Sequence, residues 1–287
     1  MRKLCFLAVL WNYVCLAQDA APGRRALPDG VTVESNLSYS QFPETVMDVY
    51  QSKNAMASGK RPGVIVFHGG GWISGTKDST IENFVIPYLE HGFVVANVEY
   101  RLAGAAPAPA AVSDALQAAS WFRNNAHRWN MDPRRIVATG ESAGGHLALM
   151  VGMTSKSAHL GPVRKVAAVI NFYGITDVED QLQGENKRDY AMQWIPEQKG
   201  RYDLARRLSP LTEVRKKNVP PILSIHGNAD EVVPYDHSIE LTRTLRHVHA
   251  DAEMIAVPNG GHGFPPEKMS RIYPQIFEFL RRRKILK

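Results

Sequence analysis

Three short segments of the chain hold residue types that together suit nucleophilic chemistry: Gly140-Glu141-Ser142-Ala143-Gly144, His226-Gly227-Asn228-Ala229-Asp230, and Asn259-Gly260-Gly261-His262-Gly263. A serine hydroxyl attacks poorly unless a base takes its proton, and the base needs an acid to fix its tautomer and stabilise its cation. The G-x-S-x-G spacing puts Ser142 on a tight turn between a strand and a helix, where small neighbours let the chain pass itself. The helix beneath such a turn favours the negative charge of a tetrahedral intermediate. Asp230 and His262 then follow in the order serine, acid, histidine, each in a loop just after a strand.

Rival residues fill other roles in this reading. His68 precedes the serine and opens a glycine run, which suits it to orienting that loop. His226 ends an interior strand and reads as a structural histidine. Glu231 and Asp236 compete with Asp230 for the acid role, but Glu231 is its immediate neighbour and Asp236 lies beyond Pro234, entering the next helix.

The segment His68-Gly69-Gly70-Gly71-Trp72 supplies what the serine turn lacks. Acyl transfer builds an oxyanion, and backbone amides stabilise it without side-chain reorganisation. Ala143 N–H is one expected donor; Gly70 and Gly71, whose bare backbones leave room for a bound ester, are the others. Trp72 and Tyr173 stand next to these loops and either border a substrate pocket or pack in the core.

These loops require a scaffold that presents strand ends side by side. Short apolar runs at 63–67, 93–98, 135–139, 166–172, 221–225 and 253–257 read as buried parallel strands, and 31–37 and 45–50 as antiparallel edge strands leading in. Residues 112–125 repeat with helical period: Val112, Ala115, Ala119, Trp121 and Phe122 share an apolar face while Asp114, Gln117 and Arg123 stay polar. The expected fold class is therefore α/β, a mostly parallel eight-stranded sheet with helices on both faces. Residues 177–209, mixed in charge, form an expected small cap over one end of the sheet.

With 287 residues and 44% hydrophobic content, the chain can bury a large core without staples. Residues 1–17 read as a cleaved signal peptide: Arg2 and Lys3 precede the apolar stretch 4–14, and Cys15-Leu16-Ala17 offers small residues before the cut. A membrane anchor would need nearer ~20 apolar residues. Asn12-Tyr13-Val14 is a poor lead-in to lipidation of Cys15. Both cysteines lie in this leader, so the expected mature chain, secreted or periplasmic, has none. Residues 18–30 form a lead-in too short for a substantial helical lid, 31–280 the catalytic domain, and 281–287 a basic, solvated tail. The formal charge of +6 is accounted for by Arg2, Lys3, Arg281, Arg282, Arg283, Lys284 and Lys287. No basic stripe is left for nucleic acid. No metal-ligand cluster appears, and no phosphate loop with its lysine, so no cofactor is expected. Oligomeric state stays open.

The segments HGGGW, EYRLAGAAPAPAAVSDA, GESAGGHLA, HGNADEVVP and GGHGF resemble the carboxylesterases of the α/β-hydrolase superfamily. The group includes the bacterial hormone-sensitive-lipase-like enzymes and the acetyl and feruloyl esterases of plant cell-wall esters. The stretch Met47-Asp48-Val49-Tyr50, with GVIVFHGGGW after it, is more like the acetyl/feruloyl branch. The resemblance spans roughly residues 31–280 and implies an α/β-hydrolase fold. It also implies a triad at Ser142, Asp230 and His262, an oxyanion hole at Gly70, Gly71 and Ala143, and small-molecule or oligosaccharide ester substrates. Glu99 stands where these families usually carry Asp or Asn, and AGAAPAPA is less polar than the common loop. Three other functions share this frame: a compact serine peptidase of the prolyl-oligopeptidase type; a non-catalytic recognition module, whose signature would be loss of Ser142, His262 or the glycine donors; and a lipase acting on long-chain lipids, which would want a broad apolar surface around the cleft.

Overall fold

The computed structural model describes residues 26–53, 59–214 and 219–287. The leader at 1–17, with Cys5 and Cys15, and most of the 18–30 lead-in lie outside them. Eight strands form one sheet: β1 (Val31–Ser38), β2 (Val46–Ser52), β3 (Arg61–Phe67), β4 (Val94–Val98), β5 (Met131–Glu141), β6 (Ala168–Phe172), β7 (Ile222–Gly227) and β8 (Ala252–Val257). Their spatial order is β1-β2-β4-β3-β5-β6-β7-β8. β1 and β2 pair antiparallel and β2 joins β4 antiparallel; every later pair is parallel. The helices are α1 (Ile86–Glu90), α2 (Ala110–Asn124), α3 (Ala143–Met153), α4 (Asp189–Trp194), α5 (Arg201–Arg207), α6 (Asp236–His247) and α7 (Pro266–Arg282).

The central strands β3 and β4 are mostly apolar because both of their faces are covered, whereas the edge strand β1 is half-buried to exposed and largely polar. In β3, Ile65 and Phe67 enter one core while Val64 and Val66 enter the other, and in β4 Val94, Ala96 and Val98 oppose Val95. The two-residue period of a strand sends neighbours to opposite faces, so a doubly covered strand needs hydrophobes on both faces. α2 and α3 fill the first core, with Val112, Ala115, Phe122 and Leu147 inaccessible; α7 fills the second with Ile276, Phe277 and Leu280.

Three expectations change. Asp114, read as a polar-face residue, is buried on α2, where Arg101 clamps it through Nε to Oδ2 at 2.9 Å and Nη2 to Oδ1 at 2.7 Å. A charge leaves water at this cost only when paired. The basic tail is not simply solvated: Arg282 bonds Glu253 at 2.7 Å, Arg283 bonds Asp251 at 2.8 Å, and Ile285 is buried. Strand β5 runs on through Gly140 and Glu141, so the serine turn begins directly at its end. Among the described residues no helix is long and apolar enough to cross a membrane.

Candidate active site

Ser142 sits between β5 and α3 with φ 54° and ψ −121°, a backbone conformation that costs a non-glycine residue energy and persists only where the surroundings enforce it. Two backbone bonds enforce it: Ser142 N–H donates to Phe172 O at 2.9 Å, and His146 N–H to Ser142 O at 3.0 Å. The turn also needs Gly144, because a Cβ there would stand 2.0 Å from Phe67 O of β3. That contact brings α3 against the strand from which the glycine loop leaves.

The ends of β7 and β8 bring the other two groups to the serine. Ala229 N–H donates to Gly260 O at 2.9 Å, tying the two loops together. His262 then has Nε2 at 2.9 Å from Ser142 Oγ and Nδ1 at 2.8 Å from Asp230 Oδ2. Asp230 Oδ1 accepts Val232 N–H at 2.9 Å and Val233 N–H at 3.0 Å. Burial alone would push the Asp230 carboxyl up, but the hydrogen bonds from His226 and His262, the attraction of His262 and the Val232 N–H hold it well below the usual carboxylate range. An ionised Asp230 fixes the proton of His262 on Nδ1 and leaves Nε2 free to accept from the serine. Glu231 and Asp236 take no part in this chain; Asp236 begins α6.

The glycine loop lies directly beside the serine, since a Cβ on Gly69 would come within 3.5 Å of Ser142 Cβ. Gly70 and Gly71 have φ of 105° and 60°, and Gly70 O accepts Ile73 N–H at 3.1 Å and Ser74 N–H at 3.0 Å. The turn so closed sets the peptide planes on either side of Gly70. Ala143 opens α3, and the N–H groups of a helix's first turn have no partner inside the helix. Behind the loop, His68 donates from Nδ1 to Gly69 O at 2.7 Å and stacks on Tyr100 at 4.2 Å. Its Nε2 stands 3.3 Å from Glu99 Oε1. Burial raises the Glu99 carboxyl, but the adjacent His68 ring and Lys77, through its N–H and its ammonium, outweigh it and lower its pKa. Glu99, the departure from the family pattern, thus backs the residue that orients the loop.

Trp72 is a core aromatic. It has no exposure, stacks on Trp194 at 4.0 Å and donates from Nε1 to His146 Nδ1 at 3.2 Å, so it forms no part of an open pocket wall. A tryptophan next to a mobile-looking glycine run reads either way; what decides here is Trp194, which the 177–209 segment folds onto it. Tyr173 is also buried, at 4% exposure, packing edge-on to His262 at 4.8 Å and donating from its hydroxyl to Glu141 Oε2 at 2.6 Å. It backs the histidine from behind.

Three residues at the site are not among those singled out from the sequence. Tyr190 of α4 lies over Gly71, where a Cβ would meet its side chain at 2.7 Å. Arg188 reaches Val232 O with Nε at 3.1 Å and Glu231 O with Nη2 at 3.0 Å, fastening the cap segment to the acid loop. His146, one turn into α3, donates from Nε2 to Leu208 O at 2.7 Å and joins the serine helix, glycine loop and cap. A histidine on an otherwise apolar helix was the available hint. Among the described residues no group of three His, Cys, Asp or Glu side chains could hold a metal ion.

A sheet of this order, with its serine lifted on the turn after the fifth strand, has the α/β-hydrolase fold. Residues 47–245 match the BD-FAE family model, and the chain belongs to that family. Esterase LipC of Mycobacterium tuberculosis is 29% identical over 239 residues, covering 79% of this chain and 58% of LipC. Isoprenylcysteine alpha-carbonyl methylesterase ICME of Arabidopsis thaliana is 26% identical over 248 residues, covering 80% of this chain and 56% of its own. The chain therefore spans little more than half the length of these curated relatives. A truncated form of a carbohydrate esterase from gut microbiota superposes with a TM-score of 0.70 at 25% identity, covering 86% of this chain and 95% of that one.

Proposed function

We propose that this protein is a serine carboxylic ester hydrolase working through an acyl-enzyme. The observation that carries the reading is the unbroken chain of hydrogen-bonding atoms from Ser142 Oγ through His262 to Asp230, at 2.9 and 2.8 Å. His262 Nε2 takes the serine proton as Oγ attacks the ester carbonyl, and the oxyanion is met by the amides of Ala143, Gly70 and Gly71. The same histidine protonates the departing alcohol. Water, deprotonated by His262, then releases the acid and regenerates the serine. Asp230 stays ionised throughout, in keeping with its lowered pKa. Each amide donor contributes about 3 kcal/mol to the transition state.

For substrate, we propose short acyl esters, acetyl to butyryl, and acetylated or feruloylated plant polysaccharide fragments as natural targets. Tyr190 over Gly71 supports a pocket bounded by aromatic side chains, and the cap carries Asp177, Glu179, Asp180, Glu185 and Lys187 rather than a continuous apolar channel. Each buried methylene is worth about 0.8 kcal/mol, a gain that stops where the acyl chain leaves the pocket. The carbohydrate esterase, alike over nearly its whole length, supports the sugar-ester reading. Export rests on the leader sequence, and N-terminal sequencing of the natural product should begin near Gln18; a chain still starting at Met1 contradicts it.

One substrate panel tests the function: p-nitrophenyl acetate, butyrate and palmitate, methyl ferulate, acetylated xylo-oligosaccharide and a chromogenic dipeptide amide. We expect kcat/KM on acetate or butyrate to exceed that on palmitate. Higher kcat/KM on palmitate overturns the short-chain proposal, and strong amide cleavage with weak ester turnover moves the chain to the peptidases.

A further inference from the structure

Asp230 has a second histidine. His226 Nε2 lies 3.2 Å from Asp230 Oδ2, the oxygen that also faces His262, and 3.1 Å from Val233 O. Its Nδ1 lies 2.7 Å from Ser238 Oγ on α6. His226, Ser238 and the Asp230 side chain are all inaccessible. Val233 O can only accept, so Nε2 carries a proton, donated to that carbonyl with Asp230 Oδ2 also 3.2 Å from the nitrogen.

From this geometry we infer that His226 shares its Nε2 proton with Asp230 Oδ2 and is a positioning residue for the relay: it engages the same oxygen as His262 and tempers the carboxylate's pull on the His262 proton. The inference rests on the triad reading of Ser142, His262 and Asp230. A carboxylate oxygen that accepts two hydrogen bonds gives less electron density to each, so the donor on one side weakens the interaction on the other. Oδ1 is already fixed by the Val232 and Val233 amides, which leaves Oδ2 as the oxygen whose basicity can be adjusted. Ser238, by engaging Nδ1, keeps the ring from turning, and Tyr235 packs edge-on at 5.6 Å. The titratable groups around His226 are Asp230, Tyr235, Tyr173 at 6.4 Å and, across the shared carboxylate, His262. Burial, with the nearby Glu141 charge, raises Tyr173 well above the usual phenol range, so it stays uncharged over the pH span of the test.

The test compares His226→Asn with His226→Gln. Asparagine keeps an amide near the Nδ1 position, within reach of Ser238, but gives up the donor to Asp230; glutamine extends an amide to the Nε2 position. With Oδ2 released, His262 holds its proton more tightly, so the acid limb of kcat/KM moves up by about half a pH unit in the asparagine variant. On that limb kcat/KM falls about threefold, while on the alkaline plateau it stays within about twofold of wild type. Glutamine returns the limb to the wild-type position. A folded asparagine variant with an unmoved or lowered limb, or an equal shift in both variants, overturns the inference. Nitrogen-15 NMR of the wild-type His226 ring provides a measurement independent of variant folding: a protonated Nε2 is expected, and an unprotonated Nε2 contradicts the shared donor. Ser142→Ala, assayed alongside, separates the two levels. Its loss of activity with an unmoved His226→Asn limb rejects only this inference, whereas retained activity rejects the triad.

Discussion

Acid should unfold this protein partly through one buried ring. His146 has no accessible surface, its Nδ1 accepts the Trp72 indole N–H at 3.2 Å, and its Nε2 donates to Leu208 O at 2.7 Å. An indole nitrogen only donates, so protonating Nδ1 breaks that bond and puts a charge into the core. Burial pushes the His146 pKa down to about 4, against the smaller opposing effect of the Leu208 carbonyl. In the unfolded chain the ring titrates near ~6.5. Between these values the unfolded state binds a proton that the folded state refuses, so the stability His146 contributes is complete above ~6.5 and is lost as pH falls toward 4. The full loss is about 3 kcal/mol, with about 2 kcal/mol of it between roughly pH 7 and pH 5. The assay is urea unfolding of wild type and His146→Gln across that range. The variant starts less stable by about 1–3 kcal/mol for its altered bonds and packing, and its deficit should shrink by about 2 kcal/mol as the pH drops to about 5. Other titrating groups act in both proteins and cancel in the difference. Parallel stability curves would refute the argument.

Three further outcomes follow from the same contacts. Asp114→Ala leaves the Arg101 guanidinium without its carboxylate beside buried α2 and should cost about 3–5 kcal/mol, read as a lowered urea midpoint at unchanged slope. Gly71→Ala forces a Cβ into Tyr190 at 2.7 Å on a backbone with φ 60°, so kcat for p-nitrophenyl acetate should fall by roughly tenfold or more while far-UV circular dichroism stays native; unchanged kcat would mean that the loop relaxes freely. Asp230→Asn preserves the shape but removes the charge that fixes the His262 tautomer, and should lower kcat by roughly 10³–10⁴-fold; a loss under tenfold would exclude Asp230 as the acid.

The sheet was legible because a strand covered on both faces is apolar on both, and Val64 to Phe67 and Val94 to Val98, in which only the buried Asn97 is polar, are short runs of that kind. The positions of Ser142, Asp230 and His262 were legible because each follows a strand end and small residues flank two of them. Asp114 was misread since period alone assigns a carboxylate to the wet face, and its partner Arg101 lies in a loop with no period at all. The cap was opaque for a related reason. Helices α4 and α5 are short, and what fixes α4 is long-range: Trp194 on Trp72, Arg188 on the acid loop, Tyr190 on Gly71. His226 looked like a satisfied strand histidine, and it is one; that Asp230 shares its proton depends on how the chain turns back between Gly227 and Val233.

We propose Ser142 as the nucleophile of an acyl-transfer site. Stoichiometric treatment with the organophosphate diethyl p-nitrophenyl phosphate, followed by peptide mass spectrometry, tests it most directly. A single diethylphosphoryl group is expected on the peptide containing Ser142, with ester hydrolysis lost in proportion to labelling and a folded Ser142→Ala variant that neither labels nor turns over substrate. Labelling at another residue, or a Ser142→Ala variant hydrolysing p-nitrophenyl acetate within about tenfold of wild type, would contradict it.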